Sequence, residues 1–298
     1  MVKFPTLDGV IAFPVTPFHD DGALDLEGLS TNLERLLAHP LAALVAAGGT
    51  GELYSLSEAE HREVVQRAVG VAGGRATVVA GTGGNLGAAI AMARNAATAG
   101  ADAILALPPS YPQADADGLV AYYQAIGAAT HLPLIVYSRD WVNPSPALVE
   151  RMVEVIPTLA VWKDGTGDIR RYQQIMARLG DRLQWVGGAG DDLVGAYYRL
   201  GIRAYTSSIA NVAPRLALAL HDTASGGNEA ALRDILRTHV VPLYELRGRR
   251  KGYEVSAMKA MMGMQGQAAG PVRAPLVEVR DEEREALGRI LDGWAPYV

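Results

Sequence analysis

Eight short apolar runs, each bounded by Gly, Pro or polar residues, punctuate the first two thirds of this chain, at 9–15, 41–47, 76–82, 101–108, 132–138, 158–163, 183–188 and 202–208. Between them lie stretches with helical spacing of apolar residues, among them 57–71, 86–99 and 117–129. A run of about four to eight apolar residues without polar alternation is buried on both faces, as in a parallel sheet covered by helices. Eight strand–helix units are the number that closes a (β/α)8 barrel, so we expect a TIM barrel. An open doubly wound sheet alternates in the same way, but eight strands would make it wide. The glycine cluster Gly81-Thr82-Gly83-Gly84-Asn85 also lacks the GxGxxG spacing of a dinucleotide-binding sheet.

From about His221 the pattern changes to helical stretches near 228–247, 255–264 and 281–291 with no further strand. The expected organisation is a barrel over 1–222 and a C-terminal helical extension over 223–298, packed on the barrel and too small to stand alone.

Composition narrows the function classes. Of 298 residues, 49% are hydrophobic and 20% charged, enough for a large core and without the signature of disorder. A net charge of −5 argues against nucleic acid or an anionic membrane surface as partner, because either needs a basic face. The chain has no cysteine, which excludes disulfides, thiolate nucleophiles, iron–sulfur ligation and cysteine-bound zinc. The start, MVKFPTLDG, carries no apolar leader, and the strongest apolar stretch, Leu41–Ala47, is far short of the ~20 residues of a span. A soluble, cytoplasmic enzyme is expected.

In a barrel, chemistry collects where the strands end. Lysine is scarce here, with only Lys3, Lys163, Lys251 and Lys259 among 27 basic residues, yet Lys163 closes the sixth run after Leu159-Ala160-Val161-Trp162. Burial among apolar walls depresses a lysine from its free value near ~10.4, and a free amine can attack a ketone to form a Schiff base. The plain alternative is a strand-end lysine reaching solvent or paired with Asp164. Tyr137 ends the fifth run, where its phenol can shuttle protons beside Lys163, or simply be a buried aromatic with a satisfied hydroxyl. Gly48-Gly49-Thr50-Gly51 follows the second run and offers successive N–H groups and a hydroxyl to an anion. It reads equally as a turn needing positive φ, ahead of a Ser57/Glu60 capping box. Thr206-Ser207-Ser208 and Asn211 end the eighth run, either to bind substrate oxygens or to cap the next helix. The six histidines lack HxxxH or HExxH spacing, no GxSxG occurs, and His19-Asp20-Asp21-Gly22 reads as a solvated turn.

Together, the GGTGE loop, the strand-5 tyrosine, Trp162-Lys163-Asp164 and the opening Gly9-Val10-Ile11-Ala12-Phe13-Pro14-Val15-Thr16-Pro17-Phe18 resemble the dihydrodipicolinate synthase / N-acetylneuraminate lyase superfamily. Those are (β/α)8 lyases whose lysine forms an imine with a 2-oxo acid. Within it, the chain is similar to the 5-dehydro-4-deoxyglucarate dehydratase branch, through Gly48-Gly49-Thr50, Lys163-Asp164-Gly165 with Gly167-Asp168, Arg249-Arg250-Lys251-Gly252-Tyr253 and Ala269-Gly270-Pro271-Val272-Arg273. Ser138, Leu53, Tyr54 and Ser110 depart from that branch around the pocket.

The resemblance implies that Lys163 is the Schiff-base lysine and Tyr137 the acid/base phenol. It implies that Gly49, Thr50 and Gly51 cradle the carboxylate beside the keto carbon. Ser207, Ser208, Asn211 and Arg139 join the substrate-binding set, and Tyr111 matches a tyrosine that reaches a neighbouring subunit's site in the synthases. The implied reaction is decarboxylating dehydration of a six-carbon 2-oxo sugar diacid, in a homotetramer, with no metal or organic cofactor beyond the covalent imine. A pyruvate-releasing aldolase on the same scaffold and a non-catalytic 2-oxo-acid-binding relative are the alternatives.

Overall fold

In the computed structural model, which describes residues 4–110 and 113–298, the eight runs become eight parallel strands hydrogen-bonded in sequence order into a closed barrel. They are β1 (Gly9–Ala12), β2 (Ala43–Ala46), β3 (Thr77–Thr82), β4 (Ala103–Ala106), β5 (Leu134–Ser138), β6 (Leu159–Asp164), β7 (Gln184–Gly187) and β8 (Ala204–Ser207), with β8 pairing back onto β1. The crossover helices are α1 (Leu26–Leu37), α2 (Glu58–Ala72), α3 (Leu86–Ala99), α4 (Ala116–Ala128), α5 (Pro146–Val155), α6 (Ile169–Leu179), α7 (Val194–Arg199) and α8 (Pro214–Ser225). The first six of these helices start where the sequence supplies a cap, whereas α7 and α8 begin after Leu193 and Ala213 without one. Asp25, Ser57, Asn85, Asp115, Ser145 and Asp168 each accept a hydrogen bond from the first turn, and Ser57 and Glu60 complete a capping box.

Side chains alternate across each strand, so every run divides its apolar residues between two cores. Val10, Leu44, Val78, Ile104, Leu134, Val136 and Trp162 face outward onto the helices. Ile11, Phe13, Ala43, Val45, Val79, Ala103, Leu105, Ile135, Val161, Val186 and Ala204 fill the barrel interior.

Beyond α8 the chain forms α9 (Glu229–Ile235), α10 (Val241–Arg247), α11 (Tyr253–Met264) and α12 (Asp281–Gly293). The single helix expected over 228–247 is instead two, joined by a widened π-type stretch over Leu236–Val240. Pro242 has no N–H to return to the preceding turn, so the regular ladder cannot run through it. The helix α11 is buried along nearly its whole length, from Tyr253 to Met262. Among the described residues, no helix is long and apolar enough to cross a membrane.

Candidate active site

Residues two apart on a strand share a face. Tyr137 therefore follows Ile135, and Lys163 follows Val161, into the barrel at the C-terminal mouth. The β5–β6 register sets Tyr137 directly beside Lys163. The Lys163 Nζ stands 3.2 Å from the centroid of the Tyr137 ring and 5.3 Å from that of Phe13. It donates one hydrogen bond, to the carbonyl of Gly188 at 3.2 Å. Gly188 has to be glycine, because a Cβ there would lie 2.5 Å from the Asp164 carbonyl oxygen and 2.6 Å from Nζ.

Lys163 is 3% exposed. Burial drives its amine well below the usual lysine range, the Arg139 guanidinium pushes the same way, and Asp164 opposes. The result is a nucleophilic amine stripped of water, with a ring face and one carbonyl for company. The Tyr137 hydroxyl accepts from Arg139 Nη1 at 2.9 Å. Burial raises the phenol above its ordinary value, and the nearby Arg139 charge pulls it back. Tyr137 therefore stays a protonated phenol whose oxygen is held in place by a cation.

The strand-2 loop meets the mouth from the other side. Gly49 and Thr50 are half-buried there, while Gly48, Gly51 and Glu52 are buried. A glycine turn invites the expectation of positive φ at glycine, but the left-handed positions are Ala47 (50°) and Glu52 (55°). Gly48 is required for space: a Cβ on it would lie 2.8 Å from the Phe13 ring.

At the β8 exit, the small polar residues divide their work. Ser207 Oγ accepts from Ala210 N at 3.1 Å, capping the turn. Asn211 donates to the carbonyls of Phe13 (2.8 Å) and Ser208 (2.9 Å) and accepts from Val15 N (3.0 Å), tying the β8 exit to the β1 exit. Its amide is fully committed to backbone. Ser208, half-buried, keeps its hydroxyl toward Arg247, which donates to it at 3.0 Å. Tyr111 lies outside the described residues. The structure thus brings Lys163, Tyr137 and Arg139 together in one group, whereas Asn211 and Ser207 are engaged with backbone.

Two further groups did not emerge from the sequence, which offered Asp164 only as a charge partner and motif neighbour of Lys163. Asp164 is buried next to Lys163 and accepts from Thr166 Oγ1 (2.7 Å), Thr166 N (3.0 Å), Gly167 N (3.2 Å) and the Tyr197 hydroxyl (2.8 Å). The Tyr172 hydroxyl lies 3.0 Å from the Trp162 carbonyl and 3.1 Å from that of Val186, and accepts from Val186 N at 3.0 Å. It pins β6 to β7 immediately below the lysine. The second group is Asp191, Tyr244 and Arg247. Asp191 is 1% exposed, and its Oδ2 accepts from the Tyr244 hydroxyl at 3.1 Å. Burial pushes the Asp191 carboxyl up to about 6, against the pull of Ser207, Arg247 and Tyr244. Asp191 Oδ1 and Arg247 Nε are both buried without a protein partner. Only the Gly-rich stretch before Asp191 hinted at a mouth loop; Tyr244 and Arg247 lie some fifty residues further along the chain, with no motif to link them.

Comparison with known proteins identifies the family. The sequence model of the dihydrodipicolinate synthetase family matches residues 6–293. A protein of Xanthomonas campestris pv. campestris (strain B100) named probable 5-dehydro-4-deoxyglucarate dehydratase is 39% identical over 96% of this chain and 94% of its own. One of Rhizobium rhizogenes (strain K84 / ATCC BAA-868), named likewise, is 38% identical over 95% of this chain and 94% of its own. The crystal structure of dihydrodipicolinate synthase from Bacillus clausii superimposes with a TM-score of 0.91 at 28% identity, covering 97% of this chain and 98% of that one.

Proposed function

The chain belongs to the dihydrodipicolinate synthetase family, and from that premise we propose that it is a Schiff-base lyase carrying out the decarboxylating dehydration of 5-dehydro-4-deoxyglucarate to 2,5-dioxopentanoate. The observation that carries the reading is the desolvated Lys163 amine lying on the face of Tyr137 at the barrel mouth. The names of the Xanthomonas and Rhizobium relatives support the choice of substrate.

The residues suit each step. The Lys163 amine adds to the ketone, and the Tyr137 phenol donates a proton to the departing hydroxyl, so that water leaves and an iminium remains. Gly49, Thr50 and Gly51 hold the adjacent carboxylate with N–H groups and a hydroxyl. The iminium acidifies the neighbouring CH2, whose loss of a proton gives an enamine. The enamine pushes out the hydroxyl on the next carbon as water, leaving a conjugated iminium. That cation accepts the electron pair of the bond to the distal carboxylate, and carbon dioxide departs. Protonation, tautomerisation of the enol to the aldehyde, and hydrolysis by one water release the product and free Lys163. The iminium is the electron sink for both bond cleavages, so the sequence of steps needs no further cofactor. The distal carboxylate of such a diacid would fall to Ser208 and to Arg247, which donates to the Ser208 hydroxyl.

Borohydride trapping with 5-dehydro-4-deoxyglucarate, followed by intact mass and peptide mapping, tests the proposal. An adduct on Lys163 lacking both water and carbon dioxide is expected. A three-carbon adduct would replace the dehydratase with a pyruvate-releasing aldolase, and no adduct on folded protein would refute the imine chemistry.

A further inference from the structure

The C-terminal extension reaches back to the barrel mouth with a charged network that the steps above do not use. Glu52, the residue with left-handed φ at the downstream end of the Gly48–Gly51 loop, is completely buried. Lys259 of α11 places its Nζ 2.6 Å from Glu52 Oε1, and the Arg273 N–H donates to Oε2 at 2.9 Å. Lys259 is itself 2% exposed, donates to the Pro271 carbonyl at 2.8 Å and stands 4.2 Å from the Phe18 ring centroid. The Arg273 guanidinium lies 4.1 Å from the same centroid, donates to the carbonyls of Gly22 and Ser55, and pairs through both ends with Glu60. Glu60 is the capping partner that starts α2. Upstream in the same segment, Phe18 N donates to the Ala269 carbonyl at 3.2 Å, and Gly270 sits so close to the Phe18 carbonyl that a Cβ would overlap it. Segment 269–273 is thus strapped to the exits of both β1 and β2.

A buried ion pair is weak evidence for stability, because apolar side chains of similar volume often serve as well or better. What a charge pair adds is direction: a carboxylate gripped from two sides fixes the backbone that carries it. Here that backbone is the residue immediately after the half-exposed Gly49, Thr50 and buried Gly51. Loops whose N–H groups bind anions depend on such fixed φ/ψ values, since the amides must already converge when the ligand arrives.

We propose that Glu52, Lys259 and Arg273 are positioning residues, by which the C-terminal extension holds the Gly48–Gly51 loop in the form that receives the carboxylate next to the keto carbon. The inference rests on the Schiff-base reading above, and it makes the tail motif Ala269-Gly270-Pro271-Val272-Arg273 part of the active site's support.

The test is borohydride trapping of the full chain with two probes, pyruvate and hydroxyacetone, over a range of concentrations. Both present a ketone, but only pyruvate has the carboxylate. Lys259→Met should raise the half-saturating concentration of pyruvate by about tenfold, with that of hydroxyacetone moving less than about twofold. Arg273→Ala, at a half-buried position, removes the guanidinium's hold on Ser55 and Glu60 while keeping the backbone N–H on Glu52; it should shift pyruvate in the same direction by about threefold and serves if Lys259→Met does not fold. Equal shifts for the two probes, or no shift for pyruvate in a folded variant, would reduce the network to structural support and overturn the inference while leaving the imine intact. Wild-type protein that forms no Lys163 adduct with either probe or with 5-dehydro-4-deoxyglucarate would overturn the Schiff-base reading and this inference together.

Discussion

Asp191→Asn isolates the energetic cost of a buried charge at the barrel mouth. The wild-type carboxyl has an ordinary value of 3.8 and is raised to about 6 by burial. At 1.36 kcal/mol per pH unit, that rise is worth about 3 kcal/mol. The sign follows from linkage. Below pH 3.8 the group is protonated in both the folded and unfolded chain and costs nothing. As pH rises from there through 6, the unfolded chain releases its proton first, and wild-type stability falls. Asparagine keeps the shape, and its carbonyl can still accept from Tyr244, but it never ionises. The stability difference between variant and wild type should therefore grow by about 3 kcal/mol in the variant's favour between pH 3 and pH 8. Contributions that do not change with pH, including any packing mismatch, cancel from that difference. Urea unfolding followed by tryptophan fluorescence at several pH values measures it. Parallel pH profiles for the two proteins would show that Asp191 is not held as a buried, under-compensated acid, and the account of this cluster would be wrong.

Three other substitutions probe the lysine's surroundings. Tyr137→Phe keeps the ring under Lys163 but removes the phenol, so kcat should drop by about 10²–10³ with the melting temperature little changed; a near-normal kcat would remove Tyr137 from proton transfer. Arg139→Gln withdraws a positive charge that helps depress Lys163, so the amine's pKa rises and the acidic limb of the kcat/KM profile moves to higher pH; a limb that stays put or moves down contradicts the electrostatics. Tyr172→Phe leaves the Val186 N–H and the Trp162 carbonyl without their buried partner, which should cost about 2 kcal/mol in denaturant titrations. A loss below about 0.5 kcal/mol would mean that the β6–β7 staple is not needed.

Much of this molecule is written locally. Eight apolar runs of strand length, separated by helical spacing and by capping residues such as Ser57 and Asp115, are enough to require eight parallel strands wrapped by helices, since no other arrangement buries both faces of each run. A lone lysine closing one run and a tyrosine closing the run before it already mark the reactive strands. What the sequence could not say is which residues of each run look inward. Runs apolar at every position carry no period-two signal, so only barrel closure and the β5–β6 register decided that Tyr137 and Lys163 share the interior while Trp162 packs outside. The positive φ values at Ala47 and Glu52 carry no such signal in the sequence either, because neither residue is a glycine; they belong to a loop packed against Phe13 and gripped by Lys259, from distant parts of the chain. Pairings such as Asp191 with Tyr244, or Glu52 with Lys259, join residues separated by dozens to hundreds of positions, with no spacing rule connecting them. Local chemistry determined the elements and the strand that carries the candidate nucleophile; only the folded barrel, by burying some charges against chosen partners and leaving others short of one, determined which groups act together.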